Sequence, residues 1–137
     1  MTIRGVGIDI ADLRRFERLI NRYGESFLGR WFSPRERAQC RSRSELAAFV
    51  ASRFAAKEAV WKALALSGAE PIAWRSIELL DTSVAGRAAV HLSGRIGAIA
   101  RRDGVGTVSA TVTWRGHLAL AVAIVDGPGE GARTAVR

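Results

Sequence analysis

The fold is organised by the stretch Ala51-Ser-Arg-Phe-Ala-Ala-Lys-Glu-Ala-Val-Trp-Lys-Ala-Leu64. This stretch is rich in alanine and contains neither glycine nor proline, so it predicts a helix. Apolar residues occupy most of the helix circumference, which indicates a helix that is buried on several sides. Four charged residues interrupt that surface, and charges are rarely buried without a partner. They are Arg53, Lys57, Glu58 and Lys62.

The four charges form two pairs. At about 100° per residue, Glu58 and Lys62 are one turn apart and nearly in line. Arg53 and Lys57 form a second pair on a different face of the helix. Taken alone, this pattern favours two solvated stripes on a core helix, because charge runs are usually solvated faces. A catalytic or binding role needs support from elsewhere in the chain.

Length and composition indicate one globular domain. The chain has 137 residues, 48% of them hydrophobic, and no apolar run approaches the ~20 residues of a membrane helix. We predict one domain over residues 1–126 and a flexible tail over residues 127–137. Cys40 is the only cysteine, so an intrachain disulfide is impossible. With no signal-peptide pattern at the N-terminus, we expect a cytoplasmic protein without a membrane segment.

The net charge of +8 favours an acidic partner, and nearly all the cations are arginines. Arginine suits bidentate contacts with phosphate and carboxylate. A small nucleic-acid-binding domain is one candidate on charge alone. Aromatic residues are not interleaved with the arginines as a base-stacking surface requires, so we regard nucleic acid as the weaker alternative.

The N-terminal part predicts a strand over residues 3–10, with Val6, Ile8 and Ile10 on one face. Gly5 and Gly7 leave room for another backbone to approach closely. Asp9 lies near the end of this strand, where it either caps the next turn or contributes to a site.

A helix follows over residues 13–23, with Asp12 as its N-cap. Its apolar residues recur at helical spacing and are expected to face inward. They are Leu13, Phe16, Leu19, Ile20 and Tyr23. Arg14, Arg18 and Arg22 form an i, i+4, i+8 row on another face, which is either a solvated face or a docking surface for an acidic partner.

The remaining chain predicts a small antiparallel sheet behind the central helix. Gly24 and Gly29 bracket a linking segment, and Ser33-Pro-Arg-Glu36 has the form of a capping box, which accounts for Glu36 without a catalytic role. The central helix is expected from about residue 45 to 66, with Ser67-Gly68 closing it.

Strands are predicted over residues 74–80, 87–92, 107–114 and 117–125, with a short helix over 94–102 and a tight turn at Arg115-Gly116. The fold class is therefore α+β, a small antiparallel sheet packed on a long central helix. We expect three or four strands in the sheet, with exposed edges that favour self-association.

Three pieces together resemble the holo-acyl-carrier-protein synthases, the short group of 4′-phosphopantetheinyl transferases. They are Gly7-Ile-Asp9-Ile, then Arg53-Phe-Ala-Ala-Lys-Glu58-Ala-Val-Trp-Lys62-Ala about fifty residues later, and the closing β-hairpin. The resemblance covers residues 3 to about 125. It implies an enzyme that moves the phosphopantetheine arm of coenzyme A onto a serine of an apo acyl carrier protein, releasing adenosine 3′,5′-bisphosphate.

The resemblance also implies residue roles. Asp9 and Glu58 would hold Mg²⁺, and Lys62 would contact the phosphate under attack; the base is either Glu58 or a metal-associated water. A second set would lie at the nucleotide end of coenzyme A, comprising Arg53, Lys57, Gly86 and Arg87. The row of Arg14, Arg18 and Arg22 would dock the acidic carrier protein, and three subunits would form a homotrimer with sites across the subunit boundaries.

The residue chemistry is compatible with these roles. Magnesium is usually held by one or two carboxylates together with substrate phosphates. Phosphoryl-type transfer mainly needs positioning and neutralisation of charge, which a metal and a lysine provide.

Three positions depart from the family pattern, all on the presumed coenzyme A side. Trp114 stands where the family usually has histidine, Ala65 where a glycine is usual, and Ala88 where proline is common. His117 lies across the turn and is not expected to replace the histidine. Coenzyme A affinity is therefore the property expected to differ most. A catalytically impaired family member that binds a carrier protein or nucleotide, and a transferase specialised for a secondary-metabolite carrier protein, are the alternatives.

Overall fold

A computed structural model describes residues 2–41, 43–66 and 71–128. The elements run β1 (Thr2–Asp12), α1 (Leu13–Tyr23), α2 (Glu25–Trp31), α3 (Pro34–Cys40), α4 (Leu46–Leu64), a 3₁₀ turn (Trp74–Ser76), β2 (Ile77–Asp81), β3 (Arg87–Leu92), α5 (Gly94–Arg102), β4 (Val108–Arg115) and β5 (Leu118–Gly127). The strands form one antiparallel sheet in the order β1-β5-β4-β3-β2. The predicted α+β class is confirmed, although the sheet has five strands rather than three or four.

Helix α4 is the centre of the core, as its sequence predicts. Thirteen of its nineteen residues are buried, so the helix is enclosed on several sides. It lies on a floor of small side chains from the sheet, which lets the helix backbone come close to the strands. These floor residues include Gly5, Gly7, Ala110, Ala119, Ala121 and Ala123.

Strand β1 packs closely against helix α4, and the residue spacings of the two elements nearly match. A Cβ added at Gly5 would overlap the carbonyl oxygen of Ala63, and one at Gly7 would overlap that of Ala59. Two strand residues span about 6.6 Å and four helix residues about 6 Å, so the two spacings nearly match. Asp9 is the next residue on this face of β1, so the same packing places it beside α4.

The opposite face of β1 is apolar and exposed. Val6, Ile8 and Ile10 share this face, as predicted, and all three are more than half exposed. In the register of the sheet, Val6 is opposite Ile124 of β5, which is also exposed. No helix of this chain covers this side of β1 in the described part of the structure.

Side-chain caps mark the starts of two helices, α1 and α3. The Asp12 side chain accepts a hydrogen bond from the backbone N–H of Arg14 at 2.9 Å and caps α1. Ser33 and Glu36 form the predicted capping box of α3. Tyr23 is half exposed, so its predicted inward orientation is wrong: it is the last residue of α1 and its ring lies under Arg22.

Three further expectations need correction. The predicted linker after Gly24 is helix α2, because its Phe27 and Leu28 are buried in the core. The hairpin turn is Gly116-His117, one residue later than predicted, with Gly116 at φ 60°, the value for the first central residue of a type II′ turn. Strand β5 includes Gly127, which is buried and pairs with Thr2, so the predicted tail does not begin there.

Two predictions are not covered by the structure, because Ser67-Gly68 and residues 129–137 lie outside the described residues. Within the described ranges, no helix combines the length and the apolar character that crossing a bilayer requires.

Candidate active site

The first cluster of functional side chains lies where β1 crosses α4. Here the Lys62 ammonium donates to Asp9 Oδ1 at 2.8 Å and to the carbonyl oxygen of Ile8 at 3.0 Å. Glu58 stands one turn before Lys62 on the same helix. We call Asp9, Glu58 and Lys62 the carboxylate cluster. The structure brings together the three residues that the sequence placed around a metal.

The electrostatics of this cluster favour a further cation. Partial burial, and then the neighbouring Asp9 carboxylate, raise the pKa of Glu58 above its ordinary value. The hydrogen bond to Asp9 raises the pKa of Lys62, which stays charged. Lys62 and Arg15 oppose the shift of Glu58. Two carboxylates therefore lie close together, and one exposed lysine only partly balances them.

The donor set fits magnesium better than a metal held by protein alone. No group of three or more His, Cys, Asp or Glu side chains with metal-binding geometry occurs among the described residues. Mg²⁺ is commonly bound through one or two carboxylates, with waters and substrate phosphates completing its shell. Asp9 and Glu58 supply that number of hard oxygen donors.

A second cluster forms a pocket at the other side of α4. We call this cavity of about 310 Å³ the arginine pocket. Its lining includes Arg43, Phe49, Arg53, Asp81, Val84, Gly86, Arg87, Val112 and Trp114. Three arginines and one aspartate leave a surplus of positive charge, which suits an anionic ligand. Arg53, Gly86 and Arg87, predicted as one set, do line one cavity.

The arginines of the pocket are held in place by Asp81 and Phe49. Asp81 accepts hydrogen bonds from both Arg43 and Arg53. Both guanidinium groups also lie over the Phe49 ring, at 4.5 Å and 4.9 Å from its centroid. Burial lowers the pKa of Arg53, but an arginine remains protonated at neutral pH. Its Nε and Nη1 have no partner among the described residues, so a buried cation keeps two unused donors here.

Sequence reasoning did not identify Arg43, Phe49 and Asp81 as site residues. Arg43 lies in the segment before α4, and Asp81 is the last residue of β2. Neither residue has a local signal that pairs it with the other, since 38 positions separate them.

Lys57 does not belong to this pocket, so its predicted role at coenzyme A is wrong. Its side chain is 0% exposed, and its ammonium binds the Glu36 carboxylate at 2.9 Å. It also donates to the backbone carbonyls of Trp74 and Ile77. Burial lowers the pKa of Lys57, and the Glu36 carboxylate opposes this shift. The ammonium has no free donor left for a ligand.

Glu36 has more partners than the capping box predicts. Besides the Ser33 backbone N–H at 2.8 Å, it accepts from Lys57 and from the backbone N–H of Leu79 at 3.0 Å. This buried carboxylate therefore joins α3, α4 and β2. Its role is structural, as predicted, but it extends beyond the helix cap.

The carboxylate cluster and the arginine pocket lie on different sides of one chain. Asp9 belongs to β1 at one edge of the sheet and Asp81 to β2 at the other edge. Four strand spacings correspond to about 19 Å. Glu58 and Arg53 also point to different sides of α4, since five residues turn a helix by about 140°. One chain therefore does not present both clusters to the same point.

The predicted docking row lies on the exposed face of α1. Arg14, Arg18 and Arg22 are all exposed. Arg14 is paired with Asp12 at 2.8 Å, so part of its charge is used within the chain. Arg15, beside the row, acts on the pKa of Glu58, so this helix borders the carboxylate cluster.

Comparison with known proteins identifies the family. The family model described as the 4′-phosphopantetheinyl transferase superfamily matches residues 5–121. The chain belongs to this superfamily. It is 37% identical to the holo-acyl-carrier-protein synthase of Desulforudis audaxviator over 131 residues, which cover 96% of this chain and 98% of the relative.

Solved structures of transferases in this group share the fold. The holo-acyl-carrier-protein synthase of Neisseria meningitidis has a TM-score of 0.80 at 28% identity, covering 91% of this chain and 99% of that chain. The Helicobacter pylori synthase, solved in complex with coenzyme A, has a TM-score of 0.74 at 26% identity and covers 88% of this chain and 99% of that chain. The resemblance and the transferase fold predicted from the sequence are confirmed.

One departure from the transferase pattern has a clear structural reading. Ala65 is the C-cap of α4 and adopts the left-handed conformation, with φ 46° and ψ 43°. Glycine adopts this conformation without a Cβ penalty, and helices often end with a glycine for this reason. The alanine here therefore carries a conformational cost that a glycine would avoid.

Proposed function

We propose that the protein transfers the 4′-phosphopantetheine group of coenzyme A to a serine of an apo acyl carrier protein, in a Mg²⁺-dependent reaction that releases adenosine 3′,5′-bisphosphate. The observation that carries this proposal is the carboxylate cluster, in which Asp9, Glu58 and Lys62 meet at the crossing of β1 and α4. Relatives named as holo-acyl-carrier-protein synthases support the reaction class.

Asp9, Glu58 and Lys62 would each have a separate role at the reacting phosphate. Asp9 and Glu58 would hold Mg²⁺, which when bound neutralises charge on the diphosphate and polarises its oxygens. In the structure Lys62 is paired with Asp9, and in the reaction its ammonium would neutralise the phosphate under attack. The proton of the attacking serine would go to Glu58 or to a water, and the two routes stay open.

The nucleotide end of coenzyme A would occupy the arginine pocket. Arg53, Arg87 and Arg43 line this pocket and supply its positive charge. Charge-assisted hydrogen bonds from arginine to phosphate are among the stronger ones in proteins. The coenzyme A complex of the Helicobacter pylori relative supports coenzyme A as the donor. Lys57 has no part in this binding.

The acidic partner would be the carrier protein. We propose that it docks on the exposed row of α1, with Arg18 and Arg22 as the main contacts because Asp12 already neutralises part of Arg14. Complementary charge speeds the encounter and orients the partner. The cytoplasmic location stays a prediction.

A homotrimer would complete the site. The exposed apolar face of β1 and β5 gives a surface for self-association, since apolar patches of this kind mark interfaces. Because one chain presents its two clusters on different sides, a neighbouring copy would bring its arginine pocket to the carboxylate cluster. Sedimentation at micromolar concentration tests this, and a stable monomer would contradict it.

Intact-mass analysis of an apo acyl carrier protein with coenzyme A and Mg²⁺ tests the reaction. The wild-type protein should add one phosphopantetheine mass, and chelation of Mg²⁺ should abolish the gain. Asp9→Asn and Glu58→Gln should each lower the rate at least about 100-fold. Glu25→Gln is the matched control, because it neutralises an exposed carboxylate on α2. Wild-type rates in both site variants would refute the metal assignment.

A further inference from the structure

Trp114 differs from the other three tryptophans because its indole ring does not pack against the core. Trp31 and Trp74 stack in a cluster with Phe54, with ring centroids 5.3–6.2 Å apart, and Trp61 packs against the core. Trp114 is 45% exposed, and among the described residues no ring or guanidinium group packs against its indole. Its aromatic face is therefore accessible to a ligand.

The strand geometry directs this open face into the arginine pocket. Trp114 and Val112 are two positions apart on β4, so they share one face of the sheet, and both line the pocket. Trp114 also lines a second cavity of about 550 Å³ beside α1. The indole therefore forms a wall between two cavities, close to where β4 ends.

The residues around the Trp114 indole suit an anionic ligand that carries a planar ring. Arg43, Arg53 and Arg87 supply cations, while Gly86 contributes no side chain at the edge of the pocket. Gly86 has φ 75°, and a Cβ there would lie 3.1 Å from the carbonyl oxygen of Val112. A bare backbone edge, an aromatic face and clustered arginines together suit a nucleotide, which has a planar base and phosphates.

We propose that Trp114 stacks against the base of the nucleotide, so that the arginine pocket binds a nucleotide more tightly than an anion without a base. This inference rests on the proposed function, because it takes the occupant to be the nucleotide end of coenzyme A. The tryptophan that replaces the usual histidine then supplies affinity through stacking. The difference in coenzyme A affinity that is expected at this position is then a gain. Since every base has a π-face, stacking contributes affinity without reading base edges.

Calorimetric titration with adenosine 3′,5′-bisphosphate tests the stacking contact. Trp114→Ala should weaken binding by about 5- to 140-fold, the range given by one base–aromatic stack. A ribose bisphosphate, which lacks the base, should bind the wild type and Trp114→Ala equally. His117→Ala is the matched control on the same hairpin, because His117 lines only the cavity beside α1, and it should leave both affinities unchanged.

A fluorescence titration gives a second readout. Adenosine 3′,5′-bisphosphate should quench the tryptophan fluorescence of the wild type, while ribose bisphosphate should not. Trp114→Phe should bind the nucleotide within about 10-fold of the wild type, because it retains an aromatic face, and should lose the quenching.

Two results would overturn the inference. One is an unchanged nucleotide affinity in Trp114→Ala, and the other is an equal loss for the two bisphosphates, which would mean that the indole only supports the pocket. Either result leaves the transferase test unaffected. Conversely, a Trp114-dependent nucleotide affinity without any mass gain on carrier proteins would refute the proposed function and keep the stacking contact.

Discussion

Replacing Lys57 by methionine separates a structural role from a ligand-binding one. In the family pattern this lysine stands beside the coenzyme A residues, whereas in the structure it is fully buried against Glu36. Methionine keeps the length and the apolar stem of lysine but removes its charge and its donors. We expect Lys57→Met to lower the free energy of unfolding strongly.

The magnitude follows from the contacts that are lost. Glu36 is 1% exposed and would remain as a buried carboxylate without its cation, a change that costs about 3–5 kcal/mol. The carbonyls of Trp74 and Ile77 would also lose their donor, and the apolar methionine offsets part of this loss. For a domain of this length the melting temperature should fall by roughly 10–20 °C.

Denaturant unfolding followed by circular dichroism, at one fixed protein concentration, measures the change. Lys62→Met is the matched control on the same helix, since Lys62 is half exposed and its pair with Asp9 should contribute less than about 1 kcal/mol to stability. Adding Glu36→Gln to Lys57→Met removes the unpaired charge. The second substitution should therefore cost less in that background than alone, and a double-mutant cycle measures the difference.

The structural role also predicts that Lys57→Met leaves the nucleotide affinity unchanged, because Lys57 does not line the arginine pocket. A destabilisation under about 1 kcal/mol at neutral pH, together with a clear loss of nucleotide affinity, would refute the structural role.

Three further substitutions test the fold and the docking surface. Gly7→Ala should destabilise the protein by about 3 kcal/mol or more in denaturant unfolding, because its Cβ would overlap an α4 carbonyl oxygen and push β1 off the helix. Arg18→Glu should raise KM for the carrier protein with little change in kcat, and the effect should shrink with added salt, whereas Arg95→Glu on α5 should change neither constant. Ala65→Gly should raise the free energy of unfolding by about 1 kcal/mol because it relieves the left-handed cap, while Ala98→Gly within α5 should lower it by about 1 kcal/mol.

Local chemistry explains why much of the fold is predictable. The N-cap Asp12 and the capping box at Ser33 fix where α1 and α3 begin, because these side chains bond to backbone N–H groups within three residues. The alanine-rich run and its lack of breakers predict α4 to within two residues at each end. Alternation on β1 predicts the shared face of Val6, Ile8 and Ile10.

The environment of each charged residue could be predicted only from the folded chain. Lys57 and Lys62 are the same residue type on one helix, and nothing within the helix says that the first is buried and the second exposed. Their difference comes from Glu36 of α3 and from Asp9 of β1, which lie 21 and 53 positions away in sequence. Arg43 and Arg53 likewise meet only because β2 brings Asp81 between them.

The sequence by itself determined the family, most of the element order and the residues of the carboxylate cluster, since each depends on motifs in short stretches of the chain. The tertiary structure alone decided which charges are buried, which residues share the arginine pocket, and that one chain presents its two clusters on different sides. These properties depend on long-range pairing across the sheet, and a local pattern carries no information about which distant group neutralises a charge.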